Sequence, residues 1–262
     1  MATNYQQLAP SYDQRYALHR YDGITKSVLE FVGPTPCAVL EVGCGTGHWL
    51  ALLATHGHRL HGIDRAASML ERAHQKVPDA HLLLASAEAL PLRDGLFDRL
   101  LIVNALHHFP EPARALEEAR RVLTPGGKLM IVGLQPRVTT TDWYVYRYFA
   151  DTLERDLQRY PAEQTLAAWL ARAGFAAPVQ HVAQRFDQHV PAQSALSTGM
   201  IAKHTTSQLA ELSDAAYAHG IAKIEESASR AEARGETLTL PAQLTLHATV
   251  CSTRTPAEAA DA

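Results

Sequence analysis

The stretch VLEVGCGTGHWL, Val39 to Leu50, decides how this chain is read. An apolar run broken only by Glu41 leads into glycines at positions 43, 45 and 47, and an apolar, helix-like HWLALL follows. A strand that enters a glycine-rich turn and leaves as a helix brings backbone N–H groups close to a bound ligand. Three kinds of ligand can use such a turn: a dinucleotide, a bare phosphate, or a molecule with no phosphate. A dinucleotide loop has the spacing GxGxxG, and a phosphate loop adds Lys-Ser/Thr. Here the spacing is GxGxG and that Lys is missing. Glu41, two residues before the first glycine, would repel a pyrophosphate and suits a ligand with a cationic group.

Outward from this stretch the chain alternates. Tyr21 to Val32 reads as an amphipathic helix, AVLEV as a buried strand, and HWLALLATHG as a helix stopped by Gly57. RLHGID is a second strand, SMLERAHQKV a helix with Ser68 as its N-cap, and AHLLLASA a third strand. FDRLLIVNAL is a fourth strand, EPARALEEARRVL a helix, and GKLMIVGL a fifth strand introduced by the Pro125-Gly126-Gly127 turn. The alternation predicts an α/β fold, a doubly wound and mostly parallel sheet with helices on both faces. After Leu134 the rhythm changes. Residues 137–160 form a helical cap insertion, AEQTLAAWLARAGF returns as a helix, and PVQHVAQRFDQHV is a sixth strand. Residues 192–235 are a second helical insertion, and LTLHATVCSTR closes the sheet as a seventh strand. No linker is visible, so residues 1–262 are read as a single domain, with a helical arm over 1–30 and a frayed tail over 254–262.

The bulk numbers narrow the class. A chain of 262 residues with 47% hydrophobic composition can bury a sizeable core. A formal net charge of −3 gives no overall field to draw nucleic acid or an anionic membrane surface. No run approaches a membrane span, and MATNYQQLAPSYDQRY has no apolar core region of a signal peptide. The three cysteines, Cys37, Cys44 and Cys251, form no CxxC, and the fourteen histidines no HExxH, so no metal is expected. A reducing, cytoplasmic setting fits.

Four features lie at the carboxyl ends of the expected parallel strands, where open α/β sheets bind ligands. The glycine loop is the first. Asp64 follows Gly47 by 17 residues and can bind two ribose hydroxyls. ASAEALPLRDGLFD carries a small-residue turn, and VNALHHF ends the fourth strand. VLEVGCGTG, GIDRAASML, AEALPLRDGLFD, NALHHF and RVLTPGGKLMI together, in this order, resemble the class I S-adenosylmethionine-dependent methyltransferases, of the small-molecule type related to UbiE-like enzymes. The resemblance is strong over residues 12–135 and implies a Rossmann-like methyltransferase fold of seven strands, the last antiparallel, with S-adenosylmethionine as cofactor.

That resemblance also implies roles. The amide of Gly43, with Cys44, Gly45 and Gly47, would line the methionyl part of the cofactor, and Glu41 would face its amino group. Asp64 would take the ribose, and Arg65 and Met69 would flank the adenine. Ala87 would offer its amide to the adenine ring, beside Ser86 and Glu88. Asn104, Ala105 and Leu106 would run beneath the sulfonium, and Tyr12 and Arg15 would close over the carboxylate. Members of the family commonly carry Asp where this chain has Ser86, so that contact should be weaker.

In-line methyl transfer rests mainly on alignment, with about 7–11 kcal/mol available from positioning. His107 and His108 are the candidate general bases, and NALHH lacks the NPPY-like sequence of amide and nucleobase N-methyltransferases. The insertions following strands five and six should rise above the pocket. Among the five aromatics from Trp143 to Phe149 some must face the core, and Trp143, Tyr144, Tyr146 and Arg147 are the candidate acceptor contacts. Two functions follow: a methyltransferase acting on a small-molecule acceptor, with no nucleic-acid partner, or a non-catalytic S-adenosylmethionine-binding or scaffolding protein of the same fold.

Overall fold

The structure is a computed structural model that describes residues 9, 12–18, 20–137 and 142–254. In chain order the elements are α1 (Gln14–Leu18), α2 (Asp22–Val32), β1 (Ala38–Val42), α3 (His48–Ala54), β2 (Arg59–Asp64), α4 (Ala67–Lys76), β3 (His81–Leu84) and β4 (Phe97–Val103). After a 3₁₀ turn at Leu106–His108 come α5 (Pro112–Val122), β5 (Leu123–Leu134), α6 (Tyr144–Tyr148), α7 (Thr152–Arg159), α8 (Glu163–Arg172) and β6 (Val179–Pro191). The chain continues through α9 (Ala192–Ser197), α10 (Ser207–Ala210) and α11 (Asp214–Glu232) to β7 (Thr239–Ser252).

The strands form one seven-stranded sheet in the order β3-β2-β1-β4-β5-β7-β6. Pairings β1–β2, β1–β4, β2–β3 and β4–β5 are parallel, and β7 runs antiparallel to both β5 and β6. This is the α/β, mostly parallel seven-stranded fold expected from the sequence. β1 is buried along its whole length, as a central parallel strand covered on both faces must be. One face carries α2 and α3, whose Ile24, Val28, Leu50 and Leu53 meet Val39, Leu101 and Met130. Ile24, Val28 and Val32 recur at i, i+4 and i+8, the stripe that turns α2 onto the sheet. The other face carries α5 and α8, through Leu116, Leu166 and Leu170.

A third core lies under the insertions, built from Trp143, Tyr144, Val145, Phe149, Leu209, Ile224 and Leu240. Gly220 of α11 permits it, since a Cβ there would sit 2.2 Å from the Phe149 ring. β6 and β7 outrun the rest of the sheet. β5 pairs with β7 only as far as Leu134↔Leu246, whereas β6 and β7 stay paired on to Pro191↔Thr239. This two-stranded extension stands past the carboxyl end of β5 and becomes one wall of the site.

Three local expectations change. Ser68 does not cap α4; Ala66 occupies that position without a side-chain cap, and its N–H donates to Asp64 Oδ1 at 2.9 Å. The acid ending β2 takes the capping role. The Pro125-Gly126-Gly127 stretch lies inside β5, as a register shift between Phe97↔Leu123 and Arg99↔Lys128. The first insertion is two short helices broken at Asp151 (φ 62°), and the second is split into α9, α10 and α11. Of the tail 254–262, only Arg254 lies within the described residues.

Candidate active site

Two cavities open at the carboxyl end of the parallel strands. The smaller, about 630 Å³, lies over β1, β2, β3 and β4 and is lined by Tyr12, Gly43, Gly45, Asp64, Arg65, Met69, Ser86, Ala87, Glu88, Asn104 and Ala105 among others. These come from all four motifs that the sequence placed at strand ends. Val42, Ile63, Ala85, Val103, Phe109 and Pro110 also line it. Phe109 and Pro110 directly follow the NALHH stretch, so adjacency was the signal that could have found them.

The loop Gly43–Gly47 does something different from what its amides were expected to do. Gly43 N and Cys44 N both donate to Ile63 O, at 2.7 and 3.0 Å, and Gly47 N donates to Cys44 O. Gly45 N donates to Asp64 Oδ2 at 2.9 Å. All four amides are therefore turned into the protein, and the loop serves the cavity by having no side chains. Gly43 and Gly45 hold φ values of 75° and 53° that side chains disfavour. A Cβ at Gly43 would lie 2.6 Å from Ala105 Cβ, so the loop presses onto the end of β4. Cys44 is buried, and Gly47 packs at Ala73 of α4; neither lines the cavity.

Glu41 and Asp64 are the two acids at this site: Asp64 lines the cavity, and Glu41 is buried outside its lining. Glu41 is 1% exposed, and its Oε2 has no hydrogen-bond partner among the described residues. Burial first, then the nearby Asp64, pushes its carboxyl well above the usual range. Asp64 is also pushed up by burial, against the opposing pull of the Ala66 and Gly45 amides. Oδ1 accepts from Ala66 N and Oδ2 from Gly45 N, the Arg65 amide adds a third bond, and lone pairs remain for a ligand. An orphaned buried carboxylate oxygen below a side-chain-free loop fits a ligand that brings an ammonium, directly or through water. Ser86 donates to Glu88 Oε2, leaving its own lone pairs to accept. The loop after β3 is held by α5, where Leu90 N donates to Glu118 Oε2 at 2.9 Å and Arg121 donates to Leu90 O and Leu92 O at 2.9 and 2.7 Å.

The larger cavity, about 1060 Å³, lies under the insertions and shares Tyr12, Asn104 and His108 with the smaller one. Phe186, Val190, Leu240, Leu244 and Leu246 of the β6–β7 extension form its apolar wall. Thr205, Thr206, Ser207 and Gln208 face them with a polar one. Trp143 and Tyr144 line this chamber, as the sequence proposed. Tyr146 and Arg147 do not line it: the Tyr146 hydroxyl donates to Asp156, and Arg147 is an exposed partner of Asp142. Arg15 lines the chamber instead of the cofactor cavity, its guanidinium 3.8 Å over the Tyr12 ring and donating to His204 O at 3.0 Å. Leu106 turns into the core beneath, away from the place proposed for it.

The N-terminal arm is tied across the loop. Asp13 accepts from Thr46 Oγ1 at 2.6 Å and from Lys76 Nζ at 2.8 Å, and Tyr16 stacks on His48 at 3.6 Å.

His107 and His108 both reach the chamber. His107 Nε2 is 3.0 Å from the Tyr160 hydroxyl, the rings stacked at 4.0 Å, and burial holds its pKa well below the usual histidine range. Burial, then Arg159, Arg65 and Arg15, lowers His108 to about 3. Behind them runs a buried network that no sequence spacing announced. Asp156 of α7, fully buried, accepts from Arg159 Nε at 2.8 Å and from Gln208 Nε2 at 2.7 Å. Arg159 Nη1 donates on to Glu211 Oε1 at 2.6 Å, and Nη2 to Ser207 Oγ at 3.0 Å. The network clamps the first insertion to the second.

A family model described as "Methyltransferase domain" matches residues 40–131. The chain is 31% identical over 164 residues to the demethylmenaquinone methyltransferase of Thermus thermophilus, covering 53% of this chain and 74% of that one. It is 32% identical over 141 residues to a 2-methyl-6-phytyl-1,4-hydroquinone methyltransferase of Oryza sativa, 52% of this chain and 40% of that one. Against several relatives the chain spans two fifths or less of their length, 29% of a Streptomyces fradiae transposon protein among them. Among solved structures, a Thermotoga maritima protein described as "SAM-dependent methyltransferase, possible histamine N-methyltransferase" has TM-score 0.60 at 19% identity, covering 95% of this chain and 98% of that one. The [4+2]-cyclase SpnF has TM-score 0.57 at 21% identity, covering 89% and 82%. These structural likenesses speak to the fold; the motifs in order, the ligand cavity and the sequence relatives identify the chain as a member of the class I S-adenosylmethionine-dependent methyltransferases, whose cofactor is S-adenosylmethionine.

Proposed function

We propose that the protein transfers a methyl group from S-adenosylmethionine to a small, largely apolar acceptor seated in the larger cavity. The observation that carries this reading is the shared wall: Tyr12, Asn104 and His108 border both cavities, so occupants of the two would meet there. The bound cofactor supplies a methyl group on a sulfonium, open to in-line displacement. The chain's own part is to bind, orient and exclude water. Glu41 meets the ammonium, Asp64 the ribose, and Met69 and Arg65 flank the base. Ser86, Ala87 and Glu88 edge the adenine, and Gly43, Gly45, Asn104 and Ala105 form the floor. Tyr12 and Arg15 span the gap between cofactor and acceptor.

Positioning is worth more here than proton transfer, about 7–11 kcal/mol against the 10²–10⁴-fold typical of a general base. His108 with a pKa of about 3 is a weak base at neutral pH, and His107 is committed to Tyr160. Both therefore orient an acceptor hydrogen rather than drive its removal. The apolar wall of Phe186, Val190, Leu240, Leu244 and Leu246 supports an apolar acceptor, as do the quinone- and hydroquinone-methylating names of the sequence relatives. The three free cysteines accord with a reducing, cytoplasmic setting.

The test is methyl transfer from radiolabelled S-adenosylmethionine to reduced quinones, phenols, amines and amino acids. Label in the apolar ring acceptors is expected. Cofactor binding without label in any acceptor would favour the non-catalytic alternative, and label confined to amines or amino acids would refute the apolar chamber.

A further inference from the structure

Where the two cavities meet, His108 stands with Nδ1 3.9 Å from Glu211 Oε1, and that same oxygen accepts from Arg159 Nη1 at 2.6 Å. The three side chains come from separate elements: the 3₁₀ turn after β4, the end of α10, and α7. All three are shielded, with 13–14% of each side chain exposed. Arg159 is fixed in turn by Asp156 and Ser207. We infer that Glu211 and Arg159 are positioning residues for His108: from 3.9 Å, beyond hydrogen-bond reach, the Glu211 carboxylate acts through its field to favour the single ring hydrogen on Nδ1, and Arg159 holds that carboxylate in place and offsets part of its charge.

The reasoning is electrostatic. A buried carboxylate alone beside an imidazole would favour the doubly protonated ring. Here burial acts first against a charge on His108, and Arg159 from α7, Arg65 from the loop after β2 and Arg15 from α1 add to it. His107, its ring 4.0 Å away, adds a further group that disfavours a charge on the pair. Glu211 is thus left able to orient the ring dipole but not to charge the ring. The hydrogen on Nδ1 places the lone pair on Nε2. Resting on the methyl-transfer reading, this gives the junction a hydrogen-bond acceptor for the incoming substrate and keeps a further cation away from a sulfonium.

The test reads the ring itself. Two-bond proton–nitrogen spectra of protein labelled with ¹⁵N-histidine report tautomer and protonation, with the His108 signals assigned by their loss in His108→Gln. The native ring is expected as the Nδ1–H form, with no titration from about pH 5 to 8. In Arg159→Gln its midpoint should rise by more than one pH unit, a more than tenfold gain in proton affinity. In Glu211→Gln the Nδ1–H preference should weaken. An Nε2–H ring in the native protein, or an unchanged tautomer in Glu211→Gln, would overturn the inference. So would an unmoved midpoint in folded Arg159→Gln. Should Arg159→Gln fail to fold because Asp156 is stranded, Glu211→Gln alone decides. S-adenosylhomocysteine binding to the native protein, measured beside it, tests the methyl-transfer reading separately from the ring result.

Discussion

The cofactor cavity at the ends of β1 to β4 takes its shape from backbone, whereas the acceptor chamber takes its shape from side chains. In the first, Gly43, Gly45 and the Asp64 turn are set by hydrogen bonds spanning about twenty residues of chain. In the second, residues from Tyr12 to Leu246 meet beneath two insertions that Asp156, Arg159, Gln208 and Glu211 lock together. The charges differ as well. Burial pushes up two carboxyls, Asp64 in the cavity wall and Glu41 buried outside its lining; the chamber holds imidazoles that burial pushes down, His107 and His108. A fold can thus keep one ligand site almost fixed while the neighbouring one is rebuilt by inserted segments.

The contrast breaks most visibly at Asp156. Asp156→Ala leaves Arg159 buried without its main carboxylate, which should cost about 3–5 kcal/mol. Denaturant unfolding should register that loss, and the change should spoil the chamber before the cofactor cavity. S-adenosylhomocysteine binding that survives in the destabilised variant would sharpen the division between the two regions; loss of binding at full stability would break it.

Asp64→Asn comes next. The variant can keep one of the two backbone bonds and loses the charge, so cofactor affinity should fall by about 1–3 kcal/mol in a calorimetric titration.

The pH responses of the two regions should oppose each other. Glu41 has a raised folded pKa, so its contribution is fully present below its unfolded value of about 4.3 and is lost as pH rises through the folded one. His108 has a depressed folded pKa, so stability falls as pH drops from about 6.5 towards 3. An ammonium placed at Glu41 should release its proton. Calorimetry in two buffers of different ionisation enthalpy should detect proton release on cofactor binding below the folded pKa of Glu41, and its disappearance in Glu41→Gln.

The smallest effect belongs to Arg147. Half-exposed and paired with Asp142, Arg147→Ala should change stability by no more than about 0.5 kcal/mol and leave methyl transfer as it is. A several-fold loss of transfer would return Arg147 to the site.

The same contrast explains what could be read before the structure. The mostly parallel sheet and the place of the cofactor cavity follow from local patterns: a buried AVLEV, an acid ending RLHGID, and small residues where backbones meet; the antiparallel last strand rested on the family resemblance. The inward turn of the loop amides was not legible, because it depends on Ile63 O arriving from a neighbouring strand. The chamber was legible only as a place. Trp143 and Tyr144 were found on aromatic content, but Tyr146 and Arg147 look the same in sequence and point elsewhere. Asp156 and Arg159 stand three residues apart, but their links to Gln208 and Glu211 each span 52 residues, which no local spacing announces.

The most direct test of the central claim is titration of S-adenosylhomocysteine into the native protein and into Gly45→Val. Among the described residues a Cβ at Gly45 meets only Tyr12, at 3.8 Å, so the added side chain would occupy the cofactor cavity with little cost to the fold beyond its backbone strain. One-to-one binding to the native protein, and its loss in a variant that still unfolds cooperatively, are expected. Equal binding by both, or none by the native protein, would contradict the assignment of this cavity to the cofactor.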